Sequence, residues 1–266
     1  MQNVVIDWGD ESVTNLAVDI IPEYDSDANE YAYNVTHTYS TNGKYVIKVY
    51  GNTYFALKQN TSSNILCRAL DFDLPVASHL TNFSSFCRGS MHLLKVHIGC
   101  HNFNKNFRNT SYMFNNCKNL LSATGFSTWG KHDCQYNSMF YNVTHMTVTD
   151  FKLIPGTSDS IIQVFRGCAA LVGDISDFFT YFNPPIGANI TFQIVFQGCV
   201  GLTGTVPADK LWDNHFVTWS QTKPFTGCSV AIRDQVPASW GGRASDDIIK
   251  KSLNERITAL EATMVQ

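Results

Sequence analysis

Apolar and polar positions follow one short pattern over most of this chain. Met113-Phe114-Asn115-Asn116-Cys117-Lys118-Asn119-Leu120 aligns with Val164-Phe165-Arg166-Gly167-Cys168-Ala169-Ala170-Leu171 and with Val195-Phe196-Gln197-Gly198-Cys199-Val200-Gly201-Leu202. Pro224-Phe225-Thr226-Gly227-Cys228 fits the same template, with Val230-Ala231-Ile232 after it, while Met139-Phe140-Tyr141-Asn142-Val143 has valine in place of cysteine. Phe86-Cys87-Arg88-Gly89-Ser90-Met91-His92-Leu93 is a degenerate first copy. With the first mark at 87, the others fall at 114, 140, 165, 196 and 225, in steps of 27, 26, 25, 31 and 29. The shared pattern is F-x-[G/N]-C-x-x-L. Repeats must be sought first, because a coil of this size buries its apolar face only against its neighbours.

Each position in the pattern has a physical reading. Phe at the mark and Leu six residues on face one core if the residues between make a tight bend. Cys at +3 is a small filler of the most buried kind. Gly or Asn at +2 permits a left-handed backbone. The expected core is Phe114, Cys117, Leu120, Phe140, Phe165, Cys168, Leu171, Phe196, Cys199, Leu202, Phe225 and Cys228. Short strand-like pieces follow, such as Met146-Thr147-Val148 and Leu171-Val172-Gly173-Asp174-Ile175. Tyr181-Phe182-Asn183-Pro184-Pro185, within the longest step, is expected to bulge as an exposed loop.

The flanks differ. Residues 1–57 read as a small antiparallel β unit. Val4-Val5-Ile6 is a β-branched run before the turn Trp8-Gly9-Asp10, and Thr36-His37-Thr38-Tyr39 leads through Asn42-Gly43 into the strand Tyr45 to Tyr50. Asn-Gly is a strong hairpin signal, so a hairpin is expected there. After Gly241-Gly242, read as a hinge, residues 243–266 carry Ile249, Leu253, Ile257, Leu260 and Met264 at spacings of 4, 4, 3 and 4. Those positions share one face of an amphipathic helix. Freed by the glycines, it is expected to pair with copies of itself or with another protein; docking on the repeats as a cap is the alternative.

Two resemblances rest on these residues. "VVIDWGDES … HTYSTNGKYVIKVYG" resembles the immunoglobulin-like PKD-type module, with Asp7, Trp8, Gly9, Asp10, His37, Tyr39, Gly43 and Tyr45 as its signature. The repeats at 58–240 resemble BspA-like leucine-rich repeats, the "MF-x-x-C-x-x-L" variety found in bacterial surface adhesins and phage-encoded proteins. The implied fold is mainly β with short helical turns: a small β-sandwich-like N-terminal module, a leucine-rich-repeat solenoid, then a C-terminal helix. The resemblance implies a non-enzymatic phage virion protein (fibre, decoration or receptor-binding component) or, alternatively, a bacterial cell-surface adhesin. Expected partners are other virion proteins, copies of itself, and a host surface protein or glycan.

Composition narrows the chemistry. Charged residues make up 15% of the 266, against a usual share of about 25%, and 22 asparagines equal Asp and Glu together, so the surface is largely neutral and polar. A net charge of −3 with no basic block argues against a nucleic-acid backbone reader. The first residues lack the basic and apolar regions of a secretory signal. The eight cysteines are therefore expected reduced, the six N-x-S/T sequons bare, and assembly cytoplasmic. No nucleophile elbow, zinc-protease motif or phosphate loop is present, and no catalytic residue, metal or cofactor is expected. His92, His97, Cys100 and His101 lack a second pair at zinc spacing. Asp7, Asp10, Asp25 and Asp27 as a calcium cluster, and Asp71 with Asp73 as paired carboxylates, are weaker readings than turn and strand residues. Tyr31, Tyr33, Trp129, Tyr136, Tyr181, Trp212, Trp219 and Trp240 sit in polar contexts, where aromatic side chains either bind sugars or partners or close a core.

Overall fold

The computed structural model describes residues 4–20, 23–25, 30–32, 35–50, 69–74, 83–100, 109–129, 135–154, 160–184, 189–213, 217–219, 223–245 and 258. It is mainly β, and the helices within it are single turns. The chain divides into two compact units, Met1–Phe55 and Ala56–Gln266.

The first unit holds β1 (Val5–Asp7), β2 (Val13–Asn15), the helical turn α1 (Leu16–Asp19), β3 (Glu23–Asp25), β4 (Glu30–Ala32) and β5 (Lys48–Tyr50). Antiparallel pairing gives the order β2-β1-β5, and β3 pairs with β4. Val4, Ile6 and Leu16 form a buried core, with Trp8, Ile20 and Val35 packed against it. The Asn42-Gly43 hairpin does not form: residues 35–47 carry no strand, and β5 pairs with β1 instead. Side chains close that loop in place of a ladder. Tyr45 donates its hydroxyl to the Thr41 carbonyl at 2.8 Å, and its ring packs on Gly43.

The second unit is built of parallel strands. β6 (Ala69–Leu74), β7 (Lys95–Cys100), β8 (Ser122–Thr124) and β9 (Val148–Thr149) pair in sequence order. β10 (Ser160–Ile162), β12 (Ile190–Gln193) and β14 (Val217–Trp219) form a second parallel sheet, and β11 (Gly173–Asp174) pairs with β13 (Leu202–Thr203). Partners come from successive sequence copies, so the copies lie side by side.

The F-x-[G/N]-C segments are held the same way. N–H groups of Tyr112, Phe114 and Asn116 donate to the carbonyls of Asn137, Met139 and Tyr141 in the next copy at 2.9 Å. Between them, Met113, Asn115 and Cys117 donate back to Thr110, Tyr112 and Phe114 within their own turn. The backbone thus alternates donation across copies with donation inside a turn, and left-handed residues four positions apart bracket each of the first five marks. Position +2 is left-handed in all six copies: Gly89, Asn116, Asn142, Gly167, Gly198 and Gly227, with φ between 60° and 80°. An ordinary residue there costs about 1–2 kcal/mol, which explains the Gly and Asn.

Phe114, Phe140, Phe165, Phe196 and Phe225 are wholly buried and stack in a column. Centroids are 5.5 Å apart, 5.7 Å for the last pair, with interplanar angles of 3° to 16°. Phe126, Phe151 and Phe178 set their rings at steep angles against pairs of column rings. Aromatic pairs of both kinds are worth about 0.5–1.5 kcal/mol beyond burial. Phe182 belongs to this core as well. The 181–185 bulge was expected to be exposed, but Phe182 is fully buried between Phe179 and Phe192, since the extra residues of the long step carry an apolar ring inward.

The Gly241-Gly242 hinge is also corrected. Gly242 donates to the Pro237 carbonyl at 3.0 Å, Arg243 to Arg233 at 2.7 Å and Ala244 to Val236 at 3.0 Å. A Cβ on Gly242 would overlap the Val236 backbone, so glycine is here a packing requirement. Phe225 donates its N–H to the Trp240 carbonyl at 3.2 Å, so this turn closes the last copy. Ile249, Leu253, Ile257, Leu260 and Met264 lie outside the described residues.

Candidate functional site

Two places gather the singled-out residues. In the first unit, the turn after β1 brings Trp8 over His37, rings stacked at 4.6 Å and 13°. His37 meets Tyr39 edge to face at 4.6 Å, and Tyr39 stacks on Tyr45 at 3.9 Å. Asp10 anchors the group. One carboxylate oxygen accepts the Ser12 hydroxyl and N–H, and the other lies 2.8 Å from His37 Nε2. Tyr39 donates its hydroxyl to the Trp8 carbonyl at 3.0 Å, and Trp8 Nε1 donates to Thr14 Oγ1 at 2.9 Å. Asp7 accepts the N–H of Gly9 and lies 3.9 Å from Lys48 Nζ.

The charges follow from this geometry. The Ser12 hydroxyl, then His37 and the Ser12 N–H, hold the Asp10 carboxyl down at about 2, against partial desolvation. Desolvation first, then the Asp10 charge, pushes the Tyr39 phenol up. Trp8, Asp10, His37, Tyr39 and Tyr45 are thus linked by rings and hydrogen bonds, while Asp7 ends β1 and Gly9 and Gly43 lie in the neighbouring loops. The carboxylates of Asp7 and Asp10 accept from protein donors; the side chains of Asp25 and Asp27 lie outside the described residues.

The second place is the column of thiols beside the rings. Cys117, Cys168, Cys199 and Cys228 are buried and free, and each donates its S–H to the carbonyl at the mark of the preceding copy. Those carbonyls belong to Cys87, Phe140, Phe165 and Phe196, at 2.8, 3.0, 3.1 and 3.0 Å. Burial pushes the thiols of Cys117, Cys168 and Cys228 up to about 12 and that of Cys199 well above its usual value. A thiol so raised stays protonated at neutral pH and is a poor nucleophile. Leu120, Leu171 and Leu202 complete the core at +6.

Outside the column, polar side chains bridge copies on the surface. Asn142 Nδ2 donates to Asn116 Oδ1 at 2.8 Å, and Arg88 and Arg166 lie over the rings of Tyr112 and Tyr141 at 5.3 and 5.4 Å. His97 Nδ1 lies 3.1 Å from Thr124 Oγ1 on the neighbouring strand. His101 and the Cys100 side chain lie outside the described residues. Among the described residues, no three His, Cys, Asp or Glu side chains are placed to share a metal ion. Trp129, Tyr136, Trp212 and Trp240 are buried, so these four close the core and offer no exposed platform. Trp129, for example, donates Nε1 to the Ile98 carbonyl at 2.8 Å. The side chains of Tyr31, Tyr33 and Trp219 lie outside the described residues.

Sequence reasoning missed two carboxylates. Asp150 accepts the N–H groups of Gly125, Phe126 and Ser127 at 3.1–3.2 Å and so caps the helical turn Phe126–Trp129 of the previous copy. Asp174 accepts the Ser176 N–H at 2.8 Å, and the Ser176 bonds hold its carboxyl below the usual value. Each is an isolated Asp, ten residues after mark 140 and nine after mark 165, and that was the one available signal. Comparison with protein-family models, curated proteins and solved structures finds no match to this chain.

Proposed function

We propose that this chain is a non-enzymatic structural protein of a phage particle, a fibre, decoration or receptor-binding component. In this reading, a PKD-type module precedes a leucine-rich-repeat solenoid of the BspA-like kind, and the solenoid presents its neutral surface to a host protein or glycan. The observation that carries it is the column itself. Its rings and protonated thiols are wholly buried and serve each other, leaving a periodic outer surface of Asn, Thr, Arg and Tyr. Stacked copies build an extended binding surface from repeated small units. The unreactive thiols suit assembly in a reducing host cytoplasm, beside other virion proteins.

Fractionation of a culture that produces the protein tests this reading. An antibody to the chain should find it in purified particles, retained through high-salt washing. Recovery in the bacterial envelope with none in particles would overturn the proposal and leave a cell-surface adhesin.

A further inference from the structure

One face of the repeats carries charge of a single sign. From two residues before the mark to five after it, none of the six copies has an Asp or Glu, although the whole chain has 22 acidic against 19 basic residues. Arg88, Lys118, Arg166 and Lys223 fall in that stretch, Arg166 half-buried and the other three exposed. Asp150 and Asp174 come later in their copies and are held by backbone N–H groups. The face is continuous at equal positions. The N–H at +2 donates to the carbonyl at +1 of the next copy: Gly89 to Asn115, Asn116 to Tyr141 and Asn142 to Arg166, at 2.8, 2.9 and 2.7 Å. Arg88, Asn115, Tyr141 and Arg166 therefore stand at +1 of four successive copies, side by side. Arg88 lies over the Tyr112 ring and Arg166 over that of Tyr141, at 5.3 and 5.4 Å. Asn142 donates to Asn116 at 2.8 Å, and Asn116 to Asn115 at 2.7 Å. The ion pairs among the described residues lie elsewhere, at Asp10 with His37, Asp7 with Lys48 and Asp234 with Arg243.

We propose that this face binds an acidic oligosaccharide through its sugar carboxylates, Arg88 and Arg166 taking one carboxylate each. The proposal rests on the reading that the repeats present their surface to a host glycan, and it names the ligand chemistry. Three features select that chemistry. First, a guanidinium over a ring is held in place while its N–H fork stays available, and that fork matches a carboxylate in two parallel bonds. Second, amides and phenols lie between the two arginines, and these groups donate and accept hydrogen bonds as sugar hydroxyls do. Tyr112, 41% exposed, adds a ring face for the apolar side of a sugar. Third, the arginines are three copies apart, about 14 Å at about 4.8 Å per copy. One carboxylate cannot reach both, so the ligand is an oligomer with at least two. A nucleic-acid duplex, with one charge per about 1.7 Å of its axis, calls for a denser row of cations than this face holds.

Titration of the purified full chain with oligomers of galacturonate, hyaluronan and sialate, each beside its methyl ester, tests the proposal. At least one carboxylated oligomer should bind about tenfold tighter than its ester, and its affinity should fall as salt is raised. Arg88→Gln and Arg166→Gln should each cost about tenfold in that affinity and leave the unfolding midpoint in place. Lys95→Gln, exposed on β7 outside this face, should change neither. Equal binding of acids and esters, no binding by any oligomer, or arginine variants that bind like the parent would overturn the proposal. So would polyglutamate that binds as tightly with the same arginine dependence, since the face would then be a plain polyanion patch. Particle fractionation answers the separate question of residence. A failed titration with the chain in particles removes the ligand and leaves the virion reading, whereas binding by a chain found in the envelope keeps the ligand and gives it to an adhesin.

Discussion

The two units solve the same problem in opposite ways. Met1–Phe55 buries three apolar side chains in its described core, and its signature residues hold one another by rings and hydrogen bonds. Ala56–Gln266 repeats one apolar arrangement, and each ring in its column leans on the copy before and the copy after. A short unit has too little interior to rely on burial, so polar contacts must fix its loops. A stack has no such limit, because every added copy extends one continuous core. The contrast predicts where damage spreads. Phe165→Ala, at mid-column, should cost about 3–5 kcal/mol, as for buried aromatics elsewhere, and should lower the denaturant midpoint of the repeats. Tyr45→Ala should leave that transition in place. Equal loss of the repeat transition in both variants would break the comparison.

How much of this was legible in the sequence follows from the same contrast. The column was legible because its demands recur: Phe, a left-handed Gly or Asn, Cys and Leu return at each copy. The other left-handed position was not. It holds Ser85, Tyr112, Ser138, Gln163 and Ile194; the first four donate their N–H groups to the next copy, and the five share no side-chain property. The caps by Asp150 and Asp174 were hidden because each carboxylate sits at a different offset from its mark. In the first unit, the Asn42-Gly43 signal lost to a loop closed by Tyr45. The Gly241-Gly242 pair shows the same ambiguity, since glycine marks a free joint and a crowded turn alike. Pattern reading recovers what many copies share and misses what one contact decides.

The thiol column sharpens the comparison at a smaller scale. Cys168 is wholly buried and bonded to the Phe140 carbonyl. Cys168→Val removes that donor and adds bulk to a filled position, which should cost about 1–3 kcal/mol by equilibrium unfolding. The polar unit answers to pH instead. Because the Asp10 carboxyl is depressed to about 2 in the folded chain, its contribution to stability is complete above about pH 4 and is lost as pH falls toward 2. An NMR acid titration should show the Trp8 indole signal moving in that window while signals from the ring column stay put. In the Asp10→Asn variant the movement should vanish. Column signals that move with Trp8 would mean that the two units share one acid transition.

The smallest effect is expected where the repeat breaks its own rule. Val143 occupies the cysteine position of its copy, wholly buried, and has no S–H to give to the Phe114 carbonyl. That carbonyl still accepts the Cys117 N–H at 3.0 Å, so it is not left unsatisfied. Val143→Cys gives up the packing of about one methyl group, about 0.8 kcal/mol, and gains a weak S–H···O bond of similar size, about 0.5–1 kcal/mol. The two nearly cancel, and the unfolding midpoint should stay within about 0.5 kcal/mol of the parent. The opposite exchange at Cys168 carries a clear cost because there the donor is lost and the extra bulk has nowhere to go. If both exchanges prove equally neutral, the position selects only for a small apolar group and the thiol bond contributes nothing. If Val143→Cys stabilises by more than 1 kcal/mol, the thiol-to-carbonyl bond outweighs packing, and the column is held by its cysteines as much as by its rings.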